Sequence, residues 1–174
     1  MSKRTKNGLF GTKLQPDQIL AFHNNQMSNS ARFVRSFGRL VLIQRRDKLA
    51  QAISLVRAML TDQWMVFGEI EKKQMTADMG VLLPEIANAL SKIIADEAQI
   101  EQMLAGVEPA RIRRLAYEDL NEAALEATAD WLWAAAGGRP ATVAVDSAFA
   151  LPRKLDQGEA VAIKRWFLER VGAG

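Results

Sequence analysis

The sequence predicts an all-α fold: an antiparallel helical bundle of five or six helices, with a basic amino-terminal tail and a small carboxy-terminal helical appendage. Three observations predict it. Apolar residues recur at three- and four-residue spacing over long stretches, first Leu49, Ile53, Val56, Leu60, Trp64, Phe67 and Ile70, then Ile86, Leu90, Ile93, Ile100 and Leu104. Helix stops and helix openers punctuate these stripes at Gly80 and Pro84, at Gly106 and Pro109, and at Gly137–Gly138. The one weakly alternating segment, "ATVAVD" at 141–146, would be a strand without a partner and reads as a connector. The length of 174 residues suits one domain with an appendage. The expected boundaries are a tail over 1–14, a bundle over 15–139 and an appendage with one helix over 140–174.

The elements follow in order. Lys3, Arg4, Lys6 and Lys13 make the tail basic. Pro16 fits the first turn of a short helix reaching about Gln26, with Ile19, Leu20 and Phe22 as its apolar residues. "SNS" at 28–30 reads as a turn and an N-cap for a helix through "ARFVRSFGRLVLIQRRDK", residues 31–48. On a helical wheel with Arg32 as origin, Arg35, Arg39 and Arg46 fall at roughly 300°, 340° and 320°. Phe33, Val34, Phe37, Leu40 and Val41 lie opposite, so the arginines form one stripe behind an apolar face. Ile43 is the exception, because it lands inside the arginine stripe. The next apolar stripe is rotated by more than about 90° on the same wheel. A restart near Asp47, acting as an N-cap, resolves that conflict. Helices over 49–75, 84–105 and 110–136 then make the bundle core. The core face of the last of these is Leu120, Ala123, Ala124, Ala127, Trp131 and Ala135, alanines that suit close helix approach. Asp156 with Glu159 resembles a capping box and opens a final helix over 158–171.

Composition excludes several classes. Half the residues are apolar and a quarter charged, which is globular and not disordered. There is no cysteine, hence no disulfide framework and no thiolate metal site, which fits a reducing compartment. The start "MSKRTKNG" is not followed by an apolar run of the secretory kind, and the apolar runs are too short to span a bilayer. A cytoplasmic protein with no membrane partner is expected. The charge is unevenly spread: residues 1–60 carry 11 Lys/Arg against 2 Asp/Glu, and residues 61–140 carry 7 against 14. The basic part meets a polyanion, or the acidic part of another copy, or the acidic part of its own chain.

Catalytic chemistry is hard to find. His23 is the one histidine and sits in "HNNQ", the setting of a surface residue; it leaves no triad and no Glu-x-x-His metal pair. "GLFGTK" at 8–13 lacks the spacing of a phosphate loop. No catalytic residue, cofactor or metal site is therefore expected. Glu97 falls on an apolar stripe and needs a partner if buried. Arg111, Arg113 and Arg114 form a second basic cluster at what reads as a helix start, where they oppose the helix dipole. Arginine forks suit phosphate. The functional expectation is a non-catalytic subunit of a nucleoprotein assembly, touching nucleic-acid backbone through Arg32, Arg35, Arg39, Arg45, Arg46 and Lys48. The sequence does not separate RNA from DNA. The alternative is a structural or scaffold protein, a virion or secretion-complex component. Its basic part would dock on the acidic stripe of another copy, with Ile43, Glu118, Glu122, Glu126 and Trp133 as interface residues.

Overall fold

The computed structural model describes residues 10–64, 78–138 and 157–172. Among them run α1 (Pro16–Phe22), α2 (Met27–Arg35), β1 (Leu40–Gln44), α3 (Lys48–Thr61), α4 (Met79–Leu104), β2 (Ile112–Ala116), α5 (Glu122–Ala134) and α6 (Gln157–Val171). The all-α expectation is corrected: β1 and β2 pair in parallel, in register from Leu40 opposite Ile112 to Gln44 opposite Ala116. Among the described residues there are six α-helices and one small parallel two-stranded sheet, so the fold is not purely helical.

The error lies in two segments. The helix expected over 31–48 ends at Arg35, and the chain turns through Ser36–Gly38 before entering β1. "LVLI" is a continuous apolar run with two β-branched residues, the composition of a parallel strand. The Ile43 that fitted no helical face is a strand residue and is 51% exposed. "SNS" lies inside α2 rather than capping it. Pro109 opens a short 3-10 turn, Pro109–Arg111, and the chain then extends as β2. The helix expected from 110 begins only at Glu122, capped by the Asn121 side chain accepting from the Ala124 amide at 2.9 Å. Of its expected core face, Leu120, Ala124 and Trp131 are half-buried while Ala123, Ala127 and Ala135 are exposed. Pro84 lies inside α4 rather than at its first turn.

Other features match. Asp47 is the N-cap of α3, accepting from the Ala50 amide at 2.9 Å. Gly106 follows the end of α4 with φ +81°, a conformation costly for residues with a Cβ. The segments 65–77 and 141–146, and Asp156 of the expected capping box, lie outside the described residues.

The chain forms two compact units. One comprises residues 1–46 and 96–147. Its core is Val34, Met103, Leu104 and Val107, with Leu40, Leu42 and Ile112 of the sheet packed against them. Side-chain alternation along β1 puts Leu40 and Leu42 on that face. Arg111 staples the turn before β1 by donating to the carbonyls of Arg35 at 2.8 Å, Gly38 at 3.3 Å and Phe37. Turn carbonyls that lack strand or helix partners are satisfied this way. His23 packs against rings, with centroids 5.0 Å from Phe22 and 5.2 Å from Phe33, and its Nε2 is buried.

The other unit comprises residues 47–95 and 148–174. Ala52, Ile53 and Val56 of α3, Leu82, Ile86, Ala89 and Ile93 of α4, and Ile163 and Phe167 of α6 make its core. The Asp47 carboxylate accepts from Lys164 of α6 as well as from α3, and these bonds hold its carboxyl below the usual carboxylate range. Replacing Asp47 by Ala therefore removes a cap and an ion pair. The cap contributes about 1 kcal/mol, and the half-exposed pair adds less than that after solvent screening. Because the folded pKa lies below the unfolded one, this stabilisation is complete at neutral pH. It disappears as pH falls through the folded value. Urea unfolding at pH 7 and in strong acid should show the Asp47→Ala penalty at the first and not the second.

Candidate functional site

The parallel pair sets the geometry of one end of its unit. In open α/β sheets, ligands bind outside the carboxyl ends of the strands. Beyond the end of β1 come Arg45 and Arg46, and beyond the end of β2 comes the 3-10 turn Tyr117–Asp119. Parallel register places these two segments side by side.

They interlock residue by residue. The Arg45 guanidinium lies over the Tyr117 ring, 4.1 Å from its centroid. The Arg46 amide donates to both carboxylate oxygens of Glu118, at 3.0 and 3.2 Å. The Arg46 guanidinium pairs with Asp119. That bond and the charge of Asp119 raise the Arg46 pKa further, so it stays cationic at any working pH. Two adjacent arginines are thus held at a strand end by three adjacent residues of a turn. Such a pair can take an anion through its forked N–H donors.

The other basic residues singled out in the sequence are placed elsewhere. Arg35 donates to the Ala105 carbonyl at 2.5 Å. Its guanidinium also lies where a Cβ on Gly106 would meet it, at 3.7 Å. Arg39 donates to the Ala110 carbonyl at 2.5 Å and lies 4.7 Å over the Trp131 ring. Arg32 is exposed on α2, and Lys48 opens α3. The structure does not make Arg32, Arg35, Arg39 and Arg46 one helical stripe, because they are divided between α2, the following turn and the end of β1. The second basic cluster is on β2, not at a helix start. Arg113 donates to the Ala127 carbonyl at 3.0 Å, and Arg114 grips Glu101 with two bonds of 2.6 and 2.8 Å. Arg114 holds the Glu101 carboxyl below its usual range.

The expected acidic interface is also divided. Glu118 lies in the turn against Arg46, Glu122 is the first residue of α5, Glu126 is exposed and Trp133 is half-buried. At residues 118–119 the acidic segment meets the basic segment within one chain. Sequence reasoning missed Tyr117, whose signal was an aromatic residue directly before two acids and after an arginine-rich apolar run. No cluster of three potential metal ligands occurs among the described residues. No described helix is long and apolar enough to cross a membrane.

These features define an α/β protein with an arginine pair at the carboxyl end of a parallel strand. The family model of the Stf0 sulphotransferases matches residues 1–167, and the chain belongs to that family. No curated protein and no solved structure matches it. The family overturns the expectation of a non-catalytic nucleoprotein subunit, and with it the scaffold alternative, the nucleic-acid partner and the absence of an enzyme. Arginine forks suit a single anionic group as well as a polymer of phosphates, so their pattern does not separate the two. The search for histidine, thiolate and metal constellations missed the class for a chemical reason. A sulphuryl group is already activated in its donor, so charge and positioning can carry the reaction.

Proposed function

We propose that this chain transfers a sulphuryl group from an activated sulfate donor to a hydroxyl or amine of a small acceptor. The activated form is a phosphate–sulfate anhydride. The S–O bond to the phosphate breaks, an S–O or S–N bond to the acceptor forms, the phosphate leaves with the electron pair, and the acceptor proton passes to a base. The leaving phosphate gains negative charge as the bond breaks, and fixed cations beside it lower the barrier.

The family match over nearly the whole chain carries this reading. The arginine pair supplies a place for the anion, because Arg45 and Arg46 follow the strand end at which α/β proteins bind ligands. Arg45 and Arg46 would hold phosphate oxygens of the donor. Calorimetry with adenosine 5′-phosphosulfate and with adenosine tests this. The phosphosulfate should bind at least about 100-fold more tightly, a gap of ~2.7 kcal/mol, and added salt should narrow it. Equal affinity for the two compounds would contradict an anion site.

A further inference from the structure

Away from the strand ends, α1 and α2 carry exposed rings beside an unpaired cation. We propose that this end of the unit docks on an anionic lipid surface, with Phe22 entering the interface and Arg32 meeting lipid phosphates. Such docking is independent of any anion held by Arg45 and Arg46.

Phe22 is the last residue of α1 and is 75% exposed, more than any other large apolar side chain described. Its ring lies edge-on to His23, with centroids 5.0 Å apart, and 6.1 Å from Phe33. Phe33 in turn meets Phe37 edge-on at 5.0 Å. The rings behind Phe22 are half-buried, so they brace it and leave it outermost. The chain turns back after Phe22 through Asn24 and Asn25, both left-handed with φ 52° and 59°. Asparagine tolerates that conformation better than most residues, and its exposed carboxamide is uncharged. Leu14, at the entry to α1, is exposed as well. The seven residues of α1 rise only about 10 Å, so both ends of this short helix offer an apolar side chain to solvent.

The charge of this end is of one sign. No Asp or Glu occurs between Asp17 and Asp47. Of the arginines in that stretch, Arg35 and Arg39 donate to carbonyls, Arg45 stacks on Tyr117 and Arg46 pairs with Asp119. Arg32 differs. It is exposed, on the side of α2 away from the buried Ser30, Ala31 and Val34. Its guanidinium makes no hydrogen bond or ion pair among the described residues. It adjoins Phe33 in the chain, and Lys13 beside Leu14 is exposed too.

A ring that can bury its body, next to cations that stay at the surface, is how peripheral proteins hold anionic membranes. A protein partner fits less well. One phenylalanine offers at most about 250 Å², against the roughly 800 Å² that each side of a stable protein interface buries. A second copy would also bring two basic faces together. A lipid surface needs neither matching shape nor such an area, because a protruding ring enters it alone.

The test is flotation of the full chain with vesicles of phosphatidylcholine, with and without about 30% phosphatidylserine. Binding to the anionic vesicles should be at least about tenfold tighter, and salt should weaken it. Phe22→Ser keeps every charge and should lower the partition about tenfold. Arg32→Ala should lower it about fivefold. Both side chains are exposed, so the thermal midpoints should not change. In Phe22→Trp, lipids brominated along the acyl chain should quench fluorescence that the parent lacks. No binding to anionic vesicles overturns the proposal. Binding that Phe22→Ser leaves unchanged also overturns it, since charge alone would then attract the chain. Self-association of the parent that Phe22→Ser abolishes would assign the surface to a second copy instead. If Phe22→Ser melts early, Phe22→Trp decides, and absence of quenching there sinks the docking role.

Discussion

Replacing Arg45 and Arg46 together by alanine should lower sulphuryl transfer by about 10²–10³-fold, the loss found when a preorganised group facing developing charge is removed. The two arginines leave the strand end at consecutive positions, and both are tied to the Tyr117–Asp119 turn. Their removal deletes two fixed cations where the leaving phosphate would sit. It also leaves the Glu118 and Asp119 carboxylates there, which adds repulsion toward an anion. The loss should therefore exceed that of either single change. Neither side chain belongs to the unit's apolar core, so the thermal midpoint should fall little. Initial rates with labelled donor, read beside a melting curve, separate the two effects. A large fall in the midpoint would mean that the pair mainly holds the fold.

Met103→Ala should have the largest effect on stability in the unit that carries the site, about 2–5 kcal/mol. Met103 is 1% exposed and packs with Val34, Leu104 and Val107 beneath β1 and β2. Truncation loses the transfer energy of the removed atoms and leaves a cavity that neighbours fill only in part. Leu40, Leu42 and Ile112 rest on this cluster, so the strand ends should loosen with it. Donor binding should weaken even at temperatures where the chain stays folded. Urea unfolding and calorimetry on the same variant check both. Met103→Leu, which conserves volume, should cost less than about 1.5 kcal/mol.

The contrast between helices and strands shows what the sequence could disclose. Asp47 announced the start of α3, and Gly106 announced the stop after α4, because caps and stops act locally. The apolar stripe of α4 was legible over several turns, but that of the helix expected over 49–75 held only for Leu49, Ile53 and Val56: α3 ends at Thr61, and Leu60 and Trp64 are exposed. β1 and β2 were not legible. Each has five residues, and each finds its hydrogen bonds in the other, far along the chain. "LVLI" fits a helical wheel as well as a strand over so short a span. Ile43 on the wrong side of the wheel was the local sign of error. "IRRLA" after Pro109 offered less, because Pro109 opens a 3-10 turn as readily as a helix.

The candidate site was half legible. Arg45 and Arg46 stood out as cations suited to phosphate, and the structure keeps them together. What a helical wheel could not give was their neighbour. Tyr117 meets Arg45 only because two parallel strands deliver both segments to one end. Arg35 and Arg39 looked equivalent to Arg46 on the wheel, yet they satisfy backbone carbonyls at Ala105 and Ala110. Charge pattern alone could not separate the arginines that satisfy backbone carbonyls from the two that pack on the Tyr117–Asp119 turn.

The most direct measurement follows labelled sulfate from adenosine 5′-phosphosulfate, with a 3′-phosphorylated donor in parallel, into a panel of small alcohols, phenols, amines and sugars. With the parent chain, label should appear in a new product of at least one acceptor. Nearly all that product should be lost with the Arg45→Ala, Arg46→Ala variant. Donors that neither bind nor transfer, or transfer that is unchanged in the double variant, would contradict the proposed function.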